Sequence, residues 1–274
     1  MSVGTYTIIR NEAQWIAAHI LRILPHVDEC VFFDGNSTDG TLEIVKAIRD
    51  EHAHGDKIKL YEGRDCANLQ GAYVDLFNEC LHSLSTDLAW FAHPDMWVVN
   101  PEAITNIANS DAVAASVKVR SFAGEPDGPL YEIKGRAEDW KAVARLRNPD
   151  LGAHYFGHYG VHNEDVYLRA ITGDDHSHYG KYMDAYPYEV VPSGIELLHF
   201  SDVRPYARRL ERMRTCLTNQ GHNVARAETH PRVTLKPGDF QCDSFDMVPA
   251  EYPAEMLAAR NKYRHMERTL AHAR

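Results

Sequence analysis

Acidic and histidine side chains directly follow two short apolar runs of the chain. Asp34 follows Cys30–Phe33, and His93 and Asp95 follow Leu88–Ala92. Because His93 and Asp95 are two residues apart, an extended segment would place both side chains on one face, where an imidazole and a carboxylate suit a divalent metal ion. A carboxylate such as Asp34 can accept hydrogen bonds from a nucleobase imide or a ribose hydroxyl. The alternative for both acids is that they only cap turns.

Further candidate residues lie in the second half of the chain. His199 ends the predicted strand Glu189–Ser201, and Arg204 and Arg208 flank the start of the following helix at Pro205. These arginines could neutralise a diphosphate or could simply be solvated. Residues 148–180 are dense in His, Tyr, Asp and Gly, which suits a sugar or alcohol acceptor surface. The chain has no HExxH motif and no cysteine-rich spacing, which disfavours a structural zinc site.

Short apolar runs alternate with amphipathic helices in the first hundred residues. The predicted strands are Thr5–Arg10, Cys30–Phe33, Lys57–Glu62 and Leu88–Ala92. The first helix is expected to bury Trp15, Ile16, Ile20 and Ile23, and the second Leu42, Val45 and Ile48. Gly35 and Asn36 tolerate unusual backbone angles in the turn after the second strand, and Ser37 or Asp39 can cap the second helix. This order predicts an α/β protein with a mostly parallel sheet, whose ligands gather at the carboxyl ends of the strands.

The remaining pattern is less regular. Predicted strands are Ala112–Arg120 and Ala142–Leu146, separated by a loop over Gly124–Pro129. The helix after Pro205 is expected to bury Tyr206, Leu210, Met213 and Leu217. A last helix over Pro253–Ala271, with a seam of Met256, Tyr263, Met266 and Leu270, is predicted to serve in packing or in a homodimer.

Composition narrows the class of protein. The chain has 274 residues, of which 44% are hydrophobic and 25% charged, as in a soluble globular enzyme. Its net charge of −10 disfavours nucleic acid and anionic membranes as partners. Five cysteines without a CxxC pair predict reduced thiols, and the lack of an apolar run long enough to span a bilayer predicts a cytoplasmic protein. No GxGxxG or GxxxxGK is present, which disfavours a dinucleotide enzyme or a P-loop NTPase.

Two segments carry a resemblance to a known family. TIIRNEAQWI followed by VDECVFFDGNSTDGT resembles the opening of GT-A glycosyltransferases of the family 2 type, which use nucleotide-activated sugars. The resemblance implies a Rossmann-like fold with a mostly parallel central sheet flanked by helices, an irregular acceptor-side half and C-terminal helices. It implies a nucleotide-sugar-binding half over residues 1–110, an acceptor-binding and catalytic half of the same domain over 111–221, and a C-terminal extension over 222–274.

The resemblance also implies roles for individual residues. Those expected to bind the nucleotide-sugar are Ile9, Arg10, Glu12, Asp34, Asn78, Arg204 and Arg208. His93-Pro94-Asp95 occupies the place of the family's Asp-x-Asp metal motif, with its first acid replaced, so the expected metal ligands are Asp95, His93 and His199. Asp165 or Glu164, in a stretch that resembles the acceptor side, is expected to be the catalytic base.

The expected activity is transfer of a sugar from a nucleotide diphosphate, with a UDP-sugar favoured, to an acceptor hydroxyl. The resemblance implies inversion at the anomeric carbon and dependence on Mn²⁺ or Mg²⁺. An alternative is a catalytically silent relative that binds a nucleotide or glycan, which the replaced first acid of the metal motif motivates. A nucleotidyltransferase is disfavoured because the chain lacks a Gly-rich, Lys/Arg-bearing phosphate loop near its start. The donor sugar and the acceptor stay open.

Overall fold

The computed structural model describes residues 2–63, 76, 79–80, 82–108, 114–134, 139–140, 145–146, 190–219, 223–235 and 246–272. The elements of the first half are β1 (Val3–Ile9), α1 (Ala13–Ile23), β2 (Glu29–Asp34), α2 (Thr41–Glu51), β3 (Ile58–Tyr61), β4 (Leu88–Phe91), β5 (Met96–Val98) and α3 (Ala103–Ala108). Those of the second half are β6 (Ala114–Gly124), β7 (Leu130–Lys134), β8 (Asp139–Trp140), β9 (Arg145–Leu146), β10 (Val190–Val203), α4 (Tyr206–Asn219), α5 (Pro231–Thr234), β11 (Asp246–Ala250) and α6 (Ala254–His272).

The first sheet has the order β3-β2-β1-β4-β9. Its first four strands are parallel, with Ile9 of β1 opposite Asp34 of β2 and Tyr6 of β1 opposite Phe91 of β4. The predicted α/β class with a mostly parallel sheet is therefore confirmed. Because β2 and β4 flank β1 and run the same way, their carboxyl ends meet at one edge of the sheet, about 10 Å apart across the strands.

Both faces of β2 are buried, which explains why Cys30–Phe33 is apolar throughout rather than alternating. Cys30 and Phe32 of β2 pack into the core beneath α1 and α2. Val31 and Phe33 point to the opposite face, where they pack with Cys80 in a second cluster. Leu76, Glu79, Cys80 and His82, which precede β4 in the sequence, are helical.

A second sheet, which the sequence pattern did not predict as a unit, follows the order β11-β7-β6-β10-β5, with β8 beside β6. Its long central strands β6 and β10 are parallel, and β5 pairs with β10 in antiparallel orientation. The register of β10 against β6 shifts between Pro192 and Glu196 and again between His199 and Asp202. Residues 92–95 connect β4 of the first sheet to β5 of the second sheet.

The last helix serves in packing, which was one of the two roles predicted for it. The other role, in a homodimer, stays a prediction. Tyr263 and Met266 of α6 pack against the core formed by α1, α2 and the first sheet. Two predicted buried positions are wrong: Tyr206 is 48% exposed, and Leu42 is only half-buried because Ile44 takes its place against the core. Within the described ranges, no helix combines the length and hydrophobicity that crossing a bilayer requires.

An arginine fastens α6 to the second sheet. The buried Arg260 guanidinium donates to the Pro126 carbonyl at 2.5 Å and to Asp127 Oδ1 at 2.9 Å, and it lies 5.2 Å from the Trp15 ring centre. Arg264, which is more exposed, also pairs with Asp127.

We expect Arg260→Met to lower the free energy of unfolding by about 2 kcal/mol, because a buried carbonyl loses its donor and the cation–π contact with Trp15 is lost. Arg264→Met removes the same charge from the same helix and should cost about 0.5 kcal/mol, since its pair faces solvent. Urea unfolding of both variants measures the difference. Equal losses in the two variants would contradict this role for Arg260.

Candidate functional site

Asp95 lies in a tight turn between the two sheets. The Met96 amide donates to the His93 carbonyl at 3.2 Å, and the Asp95 carbonyl accepts from the Phe200 amide at 2.9 Å. Because Met96 of β5 is paired with His199 of β10, the imidazole is placed next to Asp95, with 3.5 Å between His199 Nε2 and Asp95 Oδ1. The carboxylate is 5% exposed. The antiparallel pairing of β5 with β10 thus creates the Asp95–His199 pair.

Arg204, just past the end of β10, joins this pair to the end of β1. Its Nη2 donates to Asp95 Oδ2 at 3.2 Å and to the two oxygens of Glu12 at 2.9 and 3.1 Å. Its Nε donates to the Ser201 carbonyl at 2.9 Å. One buried guanidinium therefore holds carboxylates from two segments that are far apart in the sequence.

The charges of this cluster stabilise one another. Burial acts to raise the pKa of Asp95, but the charges of His199, Arg204 and His93 outweigh it and hold the pKa well below its usual range. Burial acts to lower the pKa of Arg204. The attraction of Glu12 and Asp95 outweighs the effect of burial, so the pKa of Arg204 is raised above its usual value. Asp202, also buried, adds a further carboxylate near Arg204.

Asp34 ends β2 on the other side of β1. Its Oδ2 accepts from the Ser37 amide at 3.1 Å, and Ser37 Oγ accepts from the Asn11 amide at 3.1 Å. Asn11 precedes Glu12, so a continuous polar chain runs from Asp34 through the end of β1 and Arg204 to Asp95. Asp34 is 1% exposed, and a ligand that contacts it must displace part of its cover.

The turns that carry this chain are held by side chains. Asn11 and Asn36 have positive φ angles of 56° and 59°. Asp39 accepts from the amides of Thr41, at the start of α2, and of Ala13, at the start of α1, both at 3.1 Å. The predicted contact of Asp39 with the second helix is confirmed, and the same carboxylate also secures the first helix.

The residues around Asp95 fit a divalent cation. Asp95 Oδ1 is a buried oxygen that has no hydrogen-bond partner in the described part of the chain, and a buried carboxylate oxygen left in that state is costly. Ions of the Mg²⁺ type are usually held by one or two carboxylates together with substrate phosphates, so a site with few protein ligands is adequate. Asp95 and His199 supply one oxygen and one nitrogen.

The predicted metal set of Asp95, His93 and His199 stays a prediction. Among the described residues, no group of three or more His, Cys, Asp or Glu side chains is arranged to hold a metal. The prediction assumed that His93 and Asp95 lie in an extended segment, whereas the chain turns between them. The ring of His93 lies 6.0 Å from that of His199, between ring centres, so it is a neighbour of the pair.

The other predicted residues take different positions. Ile9 is fully buried in the core, and Arg10 is exposed beside the end of β1. Arg208 is exposed on α4 and pairs with Glu211 at 3.0 Å, whereas its neighbour Arg209 is buried and donates to the carbonyls of Gly124 and Val233. Asn78, Glu164 and Asp165 lie outside the described residues.

Sequence reasoning missed His19 and the linkage made by Arg204. His19 of α1 is buried, and its Nδ1 lies 3.0 Å from the Met96 carbonyl, so it fixes the backbone directly after Asp95. A histidine among the apolar positions of a predicted helix was the available signal. Nothing local marks the partners of Arg204, because Glu12 and Asp95 are remote in the sequence.

No protein-family model and no curated protein matches the chain. Similar solved structures include mannosyltransferase PcManGT from Pyrobaculum calidifontis in complex with GDP-Man and Mn²⁺, with 14% identity, a TM-score of 0.48, and 99% of this chain and 74% of that chain covered. A second similar structure is glucosyl-3-phosphoglycerate synthase from Mycobacterium tuberculosis in complex with Mn²⁺, UDP and phosphoglyceric acid, with 15% identity, a TM-score of 0.43, and 81% of this chain and 79% of that chain covered. The same synthase in complex with phosphoglyceric acid has 17% identity and a TM-score of 0.41, with 81% of each chain covered. These are GT-A-type glycosyltransferases, the family that the sequence resembles. With TM-scores below 0.5, they carry no argument about this site.

We expect acid to destabilise the protein through His19. Burial lowers the pKa of His19 to about 4, against 6.5 for a free imidazole. Above pH 6.5 the ring is neutral in both states, but as the pH falls toward 4 only the unfolded chain gains the proton, so stability is lost across that window. The loss amounts to about 2 kcal/mol between pH 7 and pH 5.

Urea unfolding of the wild type and of His19→Gln at both pH values measures this loss. The glutamine amide can still donate to the Met96 carbonyl and does not titrate, so the variant should be less sensitive to acid by about 2 kcal/mol. His54→Gln, at an exposed histidine, controls for the loss of an imidazole. An acid sensitivity unchanged in His19→Gln would contradict the assignment.

Proposed function

We propose that the protein is a glycosyltransferase that moves a sugar from a nucleotide-diphosphate donor, with UDP-sugars favoured, to an acceptor hydroxyl. The reaction proceeds with inversion and depends on Mn²⁺ or Mg²⁺. The observation that supports this most directly is the polar chain that joins Asp34 to Asp95 across the end of β1. It links a carboxylate suited to a base or ribose with a carboxylate suited to a cation at the same sheet edge.

Donor binding is shared among three strand ends in this proposal. Asp34 accepts hydrogen bonds from the base or ribose through Oδ1, which has no hydrogen-bond partner within the described ranges. Arg10, exposed beside it, and Glu12 line the base side. Ile9 supports the end of β1 from the core. Asn78 and Arg208, for which the structure describes no contact with these residues, keep their proposed roles toward the nucleotide and its diphosphate.

Asp95 and His199 would hold the divalent cation. When bound, this cation offsets the negative charge that develops on the leaving group. Arg204 keeps Asp95 ionised and oriented, and His19 fixes the backbone that follows it. His93, whose ring lies beside that of His199, keeps its proposed role as a further metal ligand.

Proton removal from the acceptor is assigned to Asp165 or Glu164. A carboxylate within hydrogen-bond reach of the attacking hydroxyl can take its proton as the new bond forms. A base on the face opposite the leaving group yields inversion. In this proposal residues 1–110 bind the donor, 111–221 bind the acceptor and 222–274 pack as an extension.

A second candidate function is nucleotide or glycan recognition without turnover. It is favoured by His93, which stands where the family has the first acid of its metal motif, and by the turn that separates His93 from Asp95. Hydrolysis of a UDP-sugar by the purified protein with Mn²⁺ separates the two functions, since a recognition module would bind the donor and leave it intact.

We expect UDP with Mn²⁺ to raise the melting temperature by about 6 °C when UDP is at 100 times its dissociation constant, because a ligand bound only by the native state stabilises it. Asp34→Asn should weaken the shift, and Asp95→Asn should remove its dependence on Mn²⁺. Asp50→Asn, at an exposed acid of α2, is the matched control. Differential scanning fluorimetry provides the measurement, and equal shifts with and without Mn²⁺ in the wild type would contradict the metal-dependent mode.

Alanine at Asp165 or at Glu164 should abolish transfer, with UDP binding nearly intact, because a general base acts on the acceptor and not on the nucleotide. The loss should be at least about 100-fold in turnover for the residue that is the base. Sugar-nucleotide turnover and the UDP-induced melting shift are measured on the same preparations. Wild-type turnover in both variants would rule out the assignment.

A further inference from the structure

We propose that Arg204 is a positioning residue that limits Asp95 to one available oxygen, and that it thereby selects Mn²⁺ over Ca²⁺ at the site. The inference rests on the proposed function, because it concerns the cation that accompanies the donor diphosphate. It starts from the unequal surroundings of the two Asp95 oxygens. Oδ2 accepts from Arg204 Nη2 at 3.2 Å, whereas Oδ1 lies beside His199 Nε2 at 3.5 Å.

Arg204 is held too firmly to leave Oδ2. Its backbone amide donates to the Gly124 carbonyl at 3.2 Å, and its own carbonyl accepts from Arg209. Its Nε donates to the Ser201 carbonyl, and its Nη2 also contacts both oxygens of Glu12. The residue is 5% exposed, so water does not replace these contacts. Moving the guanidinium away would leave the half-buried Glu12 and the buried Asp95 without this cation, which is strongly unfavourable.

The ligands that remain are one carboxylate oxygen and one imidazole nitrogen. Ca²⁺ takes six to eight oxygen ligands and often uses both oxygens of a carboxylate. A site that offers a single oxygen and a nitrogen disfavours it. Mn²⁺ accepts carboxylate oxygen in six-coordinate geometry and lies in the series of metals that also bind nitrogen ligands. By occupying Oδ2, Arg204 therefore favours the binding of Mn²⁺ over that of Ca²⁺.

Removing Arg204 should change that choice in a defined direction. In Arg204→Met both oxygens of Asp95 become available, so Ca²⁺ gains a ligand that Mn²⁺ does not need. Loss of the positive charge strengthens the binding of every divalent cation, and for that reason the ratio of the two affinities is the informative quantity. We expect the preference for Mn²⁺ over Ca²⁺ to fall by about tenfold, within the range found when a group that orients a metal ligand is removed.

Two further variants separate ion selection from structural support. Glu12→Gln retains the contact between Arg204 and Asp95, so it should keep the wild-type preference. The double variant Glu12→Gln/Arg204→Met removes the buried pair together and leaves no unpaired Glu12 charge. It should show the lowered preference even if Arg204→Met alone fails to fold. Arg214→Met, at an exposed arginine of α4 that pairs with Glu228, controls for the change in net charge.

The test is a Mn²⁺ titration followed by the electron paramagnetic resonance signal of the free ion, with saturating UDP, and displacement by Ca²⁺. The inference expects weak displacement in the wild type, Glu12→Gln and Arg214→Met, and displacement at about tenfold lower Ca²⁺ relative to Mn²⁺ when Arg204 is replaced. Equal ratios in all variants, or easy displacement by Ca²⁺ from the wild type, would overturn it.

The UDP-induced melting shift is recorded in parallel to separate this inference from the proposed function. If UDP shifts the melting temperature but the ratio of Mn²⁺ to Ca²⁺ affinity is the same in all variants, only the role of Arg204 is rejected. Absence of Mn²⁺ binding while UDP still binds also rejects that role and leaves the nucleotide site in place. Absence of any UDP effect on the wild type rejects the proposed donor site, whatever the ion ratio shows.

Discussion

The buried contact of Arg204 with Glu12 and Asp95 is the interaction on which the site depends. It ties together the residues after the end of β1, the turn between the two sheets and the end of β10. Breaking such a pair by removing one partner typically costs about 3 to 5 kcal/mol, because the other charge stays buried without compensation. The same contact keeps Asp95 ionised, so folding and the electrostatics of the site have one origin.

The second sheet makes this contact possible. A chain that ended with the parallel sheet would leave Asp95 on an exposed turn, whereas β5 pairs with β10 and carries the turn into the interior. Phe200, next to His199, stacks between Trp15 and Phe122 at centroid distances of 5.2 and 5.1 Å. Since neighbouring strand residues point to opposite faces, packing of Phe200 on one side fixes the direction of His199 on the other.

The parts of the site that could be predicted from the sequence depend on local pattern. Asp34 follows a short buried run, and a polar residue after such a run marks a strand end. His199 was singled out in the same way, although β10 continues past it to Val203. The turn between His93 and Asp95 was not predicted, because an extended segment and a turn cannot be distinguished over three residues. The partners of Arg204 depend on the meeting of distant segments. The second sheet was not predicted as a unit because β6 and β10 are far apart in the sequence, and nothing local marks the pairing of β10 with β6 and β5.

The central claim is that one ligand spans the sheet edge from Asp34 to Asp95. A crystal structure of the protein with UDP and Mn²⁺ tests it most directly. The account predicts the uridine against Asp34, the diphosphate over the end of β1, and the ion between the phosphates, Asp95 Oδ1 and His199. Uridine diphosphate bound at another surface, with both carboxylates still covered and the ion absent from Asp95, would contradict it.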